Sequence, residues 1–299
     1  MMNLKAGVGR TERLASYVIE QFTVNNIPYE LITANSAEQA IELANSKAHT
    51  FSAVVAVGGD GSVHTAAQVA YRNQLPLGII ASGSGDDVAR ATGLPHGRNY
   101  EATQAAADHF FASYLAHDKS RIDCLQAITA DQHLHVVLAV MSCGFDSRVN
   151  ANSSKMTYLK GTFRYIAAML RTLGRFSPIN YKTIIDGQDR SMPAMLMAVG
   201  NGSMFGGGMK VTPRAKVNDG LLDILIVHKV SIPKFLTIFP GVFTGAHLKS
   251  SSCEYITATS ITMDAPGEQV WGDGEYLGPA PVRVQIQPLS IEIFGARLE

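Results

Sequence analysis

Apolar and polar positions alternate between two periods along the first third of the chain. Glu12 to Phe22 and Ala37 to Asn45 carry apolar residues at helical spacing, whereas Tyr29 to Thr33, Ala53 to Val57 and Leu77 to Ala81 are short strand-like runs. A further helix-compatible stretch covers Val63 to Tyr71. Strands alternating with helices predict an α/β layer with a mainly parallel sheet. Beyond about residue 120 the texture becomes strand-like, at Ile122 to Thr129, His135 to Met141, Tyr181 to Ile185, Ala194 to Val199, Leu222 to Val227, Ser260 to Met263 and Val282 to Ile286. Many short strands broken by Gly, Pro and Asp predict an antiparallel, β-rich domain. The expected division is therefore an α/β domain over 1–120 and a β-rich domain over 121–299, the last residues packing back on the first. One helix, about Tyr158 to Phe176, interrupts the second domain and places Lys160, Arg164, Arg171 and Arg175 on one stripe.

Composition narrows the function classes. The 299 residues hold 25 basic and 25 acidic side chains, so the formal net charge of zero provides no general attraction to nucleic acid. Cys124, Cys143 and Cys253 form no CxxC pair, which fits a reducing, cytoplasmic setting. No apolar run reaches membrane-spanning length, and the opening residues lack a signal-like apolar stretch. The expectation is a cytoplasmic protein, at most peripheral at the inner membrane face, with the basic stripe as either a solvated surface or a contact to lipid headgroups. A homodimer is compatible with the sequence.

The densest chemistry lies at Val54-Val55-Ala56-Val57-Gly58-Gly59-Asp60-Gly61-Ser62, an apolar strand that breaks into three glycines around one carboxylate. Glycine N–H groups can approach a phosphate without an intervening Cβ, and a helix start behind the loop adds its positive dipole end. A second loop, Ser82-Gly83-Ser84-Gly85-Asp86-Asp87, follows the next strand in the same way. Ligands bind at such strand ends in open α/β sheets. Neither loop is a Walker A or a GxGxxG motif, and the nine histidines show no HExxH spacing.

With these loops the chain resembles the diacylglycerol kinase catalytic-domain family, soluble bacterial lipid kinase type, related to sphingosine kinases, NAD kinase and phosphofructokinase. Gly58 to Ser62 matches a Gly-Gly-Asp-Gly-Thr signature, and Gly83 to Arg90 matches Gly-Thr-x-Asn-Asp-Phe-Ala-Arg, with Ser84 and Asp86 in place of Thr and Asn. Gly144-Phe145-Asp146, Gly206 to Gly208, Pro213 to Asp223 and Gly272-Asp273-Gly274-Glu275 follow in the family's order. The opening departs from it: Leu4 stands where Pro is expected, so either the first strand is shortened or the start lies upstream.

The resemblance implies a phosphofructokinase/NAD-kinase-like first domain, a sandwich-like second domain and an active site in the cleft between them. It implies ATP and Mg2+, with nucleotide contacts at Thr33, Gly58, Gly59, Asp60, Gly61, Ser62, Val63, His64, Gly83, Ser84 and Gly85. A water-mediated magnesium network would use Asp60, Asp87 and Asp123. A structural cation would sit on Asp219 and the main-chain oxygens of Lys216 and Leu221. Either Glu275, the first choice, or Asp273 would accept the proton of a lipid hydroxyl, that of diacylglycerol first. Phosphatidylglycerol, a sphingoid-like alcohol, a soluble substrate as in NAD kinase, or nucleotide binding without turnover are the alternatives. Read by residue type alone, Asp219-Gly220 also suits a plain turn and Gly272 to Gly274 a hairpin.

Overall fold

The structure, a computed structural model, describes Met1 and residues 10–97, 99–144 and 177–298. It divides into two units. The first comprises Met1–Cys124, Val217–Asp219 and Pro288–Glu299, and the second Leu125–Lys216 and Gly220–Gln287.

In the first unit, strands β1 (Val54–Gly58) and β2 (Leu77–Ala81) pair in parallel from Val54↔Leu77 to Gly58↔Ala81. The last strand of the chain, β14 (Val282–Phe294), joins β2 in parallel at Ile293↔Leu77. Helices α1 (Arg10–Val24) and α5 (Tyr100–Leu115) cover the sheet, burying Leu14, Val18, Phe110 and Phe111 against Val57, Ile80 and Phe294. Gly78 in β2 permits this packing, because a Cβ there would lie 2.4 Å from the Phe110 ring. Helix α2 (Ala37–Lys47) starts at Ser36, whose hydroxyl accepts the Gln39 N–H, and α5 starts at Asn99, whose side chain accepts the Ala102 N–H. Helix α3 (Asp60–Asn73) buries Ala66, Ala67 and Ala70, small residues that let it lie close to β1.

Tyr29 to Thr33 is not a strand: the segment carries no ladder, and Tyr29 and Leu31 are exposed. Strand residues need a paired neighbour for their N–H and C=O groups. Among the described residues, what runs along the outer edge of β1 is Met1 alone, whose amino group donates to Val55 O and whose carbonyl accepts the Val57 N–H.

In the second unit β8 (Met192–Gly200) is central, antiparallel to β5 (Val140–Gly144), β6 (Ile179–Ile185) and β9 (Leu222–His228). Strand β9 pairs with β10 (Cys253–Ala258), and β5 with β12 (Gln269–Gly272), which turns into β13 (Glu275–Pro279). A second layer is built from β11 (Ser260–Asp264) with β6 and with the first half of β14, and from β3 (Lys119–Ile128) with β4 (Leu134–Val137). Period-two alternation puts Leu222, Ile224 and Ile226 into the core between layers and Leu225 and Val227 on the other face. That outer face is itself covered by Phe239 and Val242, so β9 is buried on both sides.

The run His135 to Met141 is two strands rather than one, broken at Leu138 and Ala139. Both residues are buried; side chains from elsewhere in the unit take their N–H groups and the Leu138 carbonyl, and the Ala139 carbonyl accepts the Asn201 and Gly202 N–H groups. The expected basic helix with Lys160, Arg164, Arg171 and Arg175 lies outside the described residues, as do Phe145, Asp146 and the opening residues around Leu4. Among the described residues no helix is long and apolar enough to cross a membrane.

Candidate functional site

The two glycine loops of the first unit touch main chain to main chain. A Cβ on Gly83 would sit 2.6 Å from the Gly59 Cα, and one on Gly85 would sit 2.3 Å from an Asp60 oxygen. Gly58 adopts φ +151°, a conformation open to glycine alone at little cost, and turns β1 into the start of α3. Its carbonyl accepts the Ser82 N–H at 2.9 Å, which fixes the second loop beside the first.

Asp60 laces the loops together. Its Oδ1 accepts the Asp87 N–H at 2.8 Å and its Oδ2 the Asp86 N–H at 3.1 Å. These donors open the short helix α4 (Asp87–Ala91), so the carboxylate sits at a helix start while belonging to the first turn of another. The Ser62 and Val63 N–H groups both turn inward to Gly59 O, at 2.9 and 3.2 Å. Both donors are thereby used within the start of α3. His64 is buried on α3 with its carbonyl accepting from Gln68 at 3.2 Å, a packing position.

Burial, then the charge of Asp87 beside it, raises the Asp60 carboxyl to about 7, and Asp86 adds to the rise. Asp86 is also held above the ordinary carboxylate range, chiefly by burial. It takes a left-handed conformation at φ +52° and accepts the Gly83 N–H at 2.8 Å. An asparagine can make the same bond without the charge. Asp86→Asn is therefore expected to lower the pH at which Asp60 ionises. If activity requires the Asp60 carboxylate, the acid limb of the pH–rate profile moves toward lower pH; an unmoved limb would refute the coupling.

The other predicted acids differ in their surroundings. Asp123 is fully buried and its Oδ1 accepts the Leu289 N–H at 2.7 Å, while its own N–H donates to Val217 O at 2.7 Å. It thereby holds a kink in β14, where Leu289 has φ +47°. Among the described residues no group of three His, Cys, Asp or Glu side chains could hold a metal ion directly. A cation shared by Asp60, Asp87 and Asp123 would thus depend on water. Asp219 is exposed in a turn completed by Gly220 at φ +73°; Lys216 is exposed and Leu221 half-buried. Thr33 and Ser84 are exposed.

In the second unit Asp273 and Glu275 have different surroundings. Gly272 pairs with Glu275, so Asp273-Gly274 is a two-residue hairpin with both φ values positive, +50° and +83°. Asp273 is buried and caps the break between β4 and β5: Oδ2 accepts the Leu138 N–H at 3.0 Å and Oδ1 the Ala139 N–H at 2.9 Å. Asn201 completes the clamp by donating to Leu138 O at 2.9 Å. Glu275, two residues on, is exposed. The hairpin thus holds one carboxylate inside the protein and offers the other to solvent.

A feature the sequence reading missed is an apolar cavity of about 80 Å³ on the outer face of β8 and β9. Leu196, Leu225 and Val227 form its floor, and Phe235, Phe239 and Val242 its cover. His247 lines one side with Nε2 3.2 Å from Val211 O, and burial holds its imidazole below the ordinary value. The phenylalanines at 235, 239 and 243 recur at helical spacing, a signal present in the chain.

Comparison with known proteins follows the same division. A profile of the diacylglycerol kinase catalytic domain matches residues 1–127, and one described as the YegS C-terminal NAD kinase beta sandwich-like domain matches 139–295. The chain is 32% identical to a Mycobacterium tuberculosis protein named diacylglycerol kinase, over 99% of this chain and 94% of that one. It is 30% identical to a Pseudomonas putida protein named "Probable lipid kinase YegS-like", over 84% and 79%. A crystal structure of a diacylglycerol kinase from Bacillus anthracis superposes with TM-score 0.75 at 22% identity, covering 98% of this chain and 94% of that one. An NAD kinase from Archaeoglobus fulgidus, in complex with ATP, gives 0.53 at 12%, covering 98% and 91%. The structural likenesses concern the fold: an α/β first unit and a β-sandwich-like second one, as in NAD kinase.

Proposed function

We propose that this chain, which belongs to the diacylglycerol kinase catalytic-domain family, transfers the γ-phosphoryl group of ATP to the free hydroxyl of diacylglycerol and releases ADP and phosphatidic acid. The observation that carries the reading is the pair of glycine loops locked together by Asp60. The loops meet main chain to main chain at Gly59 and Gly83, where neither residue has a side chain, which suits a polyphosphate. Asp60 and Asp86, both above their ordinary range, are short of positive charge, which suits the divalent cation that accompanies ATP. When bound, that cation would be held by Asp60 and Asp87 and would neutralise charge developing on the phosphates.

The chain's own residues do the rest. Gly58 to Ser62 and Gly83 to Gly85 seat the phosphates, and Asp60 keeps the loops in register. Glu275, exposed on its hairpin, accepts the proton of the attacking hydroxyl; the lipid oxygen bonds to the γ-phosphorus as the bond to the ADP oxygen breaks. Asp273 is a positioning residue, because both of its oxygens are bound to the break between β4 and β5. The apolar cavity of the second unit suits part of an acyl chain. At about 80 Å³ it admits a short run of methylenes rather than a whole chain.

Incubation with radiolabelled ATP and a panel of lipid alcohols tests the reading. Label is expected in phosphatidic acid, with phosphatidylglycerol and a sphingoid base as weaker acceptors. Label appearing in NAD alone, or ATP binding with no acceptor labelled, would refute it.

A further inference from the structure

The cover of the apolar cavity is apolar on both of its sides. It consists of helix α6 (Ile232–Ile238) and the tighter helical turn Phe239–Phe243 that continues it. The inward stripe, Phe235, Ile238, Phe239 and Val242, lines the cavity. The opposite stripe is Pro233, Leu236, Pro240 and Phe243, at spacings of three, four and three, and all four are exposed, Leu236 at 43% and Phe243 at 49%. A helix that lies on a sheet in water normally carries charged or polar residues on that outer stripe. Here Lys234, Thr237 and Thr244 stand beside it instead.

The segment that carries this face has charge of one sign. No acidic residue occurs between Asp223 and Glu254, whereas Lys229, Lys234 and Lys249 are all exposed there. We propose that this face docks on an anionic phospholipid bilayer, with Leu236 and Phe243 entering the boundary between headgroups and acyl chains and the three lysines lying over lipid phosphates. A second copy of the chain fits less well. A two-fold contact sets a patch against itself, so lysines would meet lysines, and four apolar side chains fall short of the roughly 800 Å² per partner of a stable interface. A bilayer supplies an apolar layer and the opposite charge together. The proposal rests on the lipid-kinase reading for its purpose: the face lies directly over the cavity assigned to an acyl chain, so a docked protein would meet its substrate where that substrate resides.

Binding can be measured without ATP or turnover, which separates this proposal from that reading. The full chain is mixed with sedimentable vesicles of phosphatidylcholine alone or with one third phosphatidylglycerol. Wild type is expected to sediment with the anionic vesicles and to be released by salt. Leu236→Ser combined with Phe243→Ser is expected to lower partitioning at least tenfold while cooperative melting is retained, since both side chains lie at the surface. Lys229→Gln, Lys234→Gln and Lys249→Gln are each expected to cost roughly fivefold on anionic vesicles alone. Activity on a water-soluble short-chain diacylglycerol should survive in all of these variants, while activity on vesicle-borne substrate falls. Wild type that ignores anionic vesicles, variants that bind as wild type does, or a solution dimer that the serine pair dissociates would each overturn the proposal.

Discussion

Asp60→Asn is expected to lower phosphoryl transfer by on the order of 10²–10³-fold or more and, at the same time, to raise the melting temperature of the ligand-free protein at pH 8. The two effects share a cause. Asp60 is buried between Asp86 and Asp87, and its carboxyl is raised from 3.8 to about 7. Between those values the folded chain holds a proton that the unfolded chain has released, so the stability contributed by this group falls as pH rises from about 4 through about 7. Above that window the folded state carries the whole penalty of a buried, crowded charge. A shift of that size corresponds to about 4 kcal/mol at most. Asparagine removes the charge but can accept only one of the two N–H groups that Asp60 binds, at a cost of about 1–3 kcal/mol. The net gain is at most about 1–3 kcal/mol, a few degrees in a chain of this size. At pH 5 the gain should vanish, because the wild-type group is then protonated. Thermal melts at pH 5 and pH 8 without divalent cations test the argument, and a variant that melts below wild type at pH 8 would sink it.

What the sequence disclosed about this site follows from how local each feature is. The strand, glycine loop and helix from Val54 to Asn73 are written in contiguous residues: an apolar run, three glycines around one carboxylate, and a helix-forming stretch. The break at Leu138 and Ala139 is not local. His135 to Met141 is an unbroken apolar run, and it ends a strand only because Asp273 and Asn201, far along the chain, supply partners for the freed main-chain groups. Tyr29 to Thr33 has strand composition, yet a strand exists only where another strand pairs with it. Strand β14 reads as ending at Ile286 because Pro288 and Leu289 interrupt its alternation. It continues to Phe294 because Asp123 receives the Leu289 N–H at the kink. Pro233 and Pro240 similarly obscure the cover of the apolar cavity, where proline falls at the first turns of α6 and of its continuation.

The hairpin at Gly272 to Glu275 separates chemistry from architecture within three residues, and substitution should separate them too. Glu275 is exposed, so Glu275→Gln keeps the shape of the side chain while removing its ability to take a proton. Its kcat is expected to fall roughly 10²–10⁴-fold with the KM for ATP and the melting temperature unchanged. Asp273→Ala is expected to lose activity by another route. It strips acceptors from the buried Leu138 and Ala139 N–H groups, each costing about 1–3 kcal/mol, so the protein should lose roughly 2–6 kcal/mol of stability. Asp273→Asn retains one acceptor and should fall between wild type and alanine in stability. Activity should follow stability across the Asp273 series, whereas Glu275→Gln should lie far from that line: fully folded and nearly inactive. An Asp273→Asn protein that melts like wild type but has lost turnover as completely as Glu275→Gln would reverse the assignment. The proton acceptor would then be the buried carboxylate, and Leu138 and Ala139 would have to release it during the reaction.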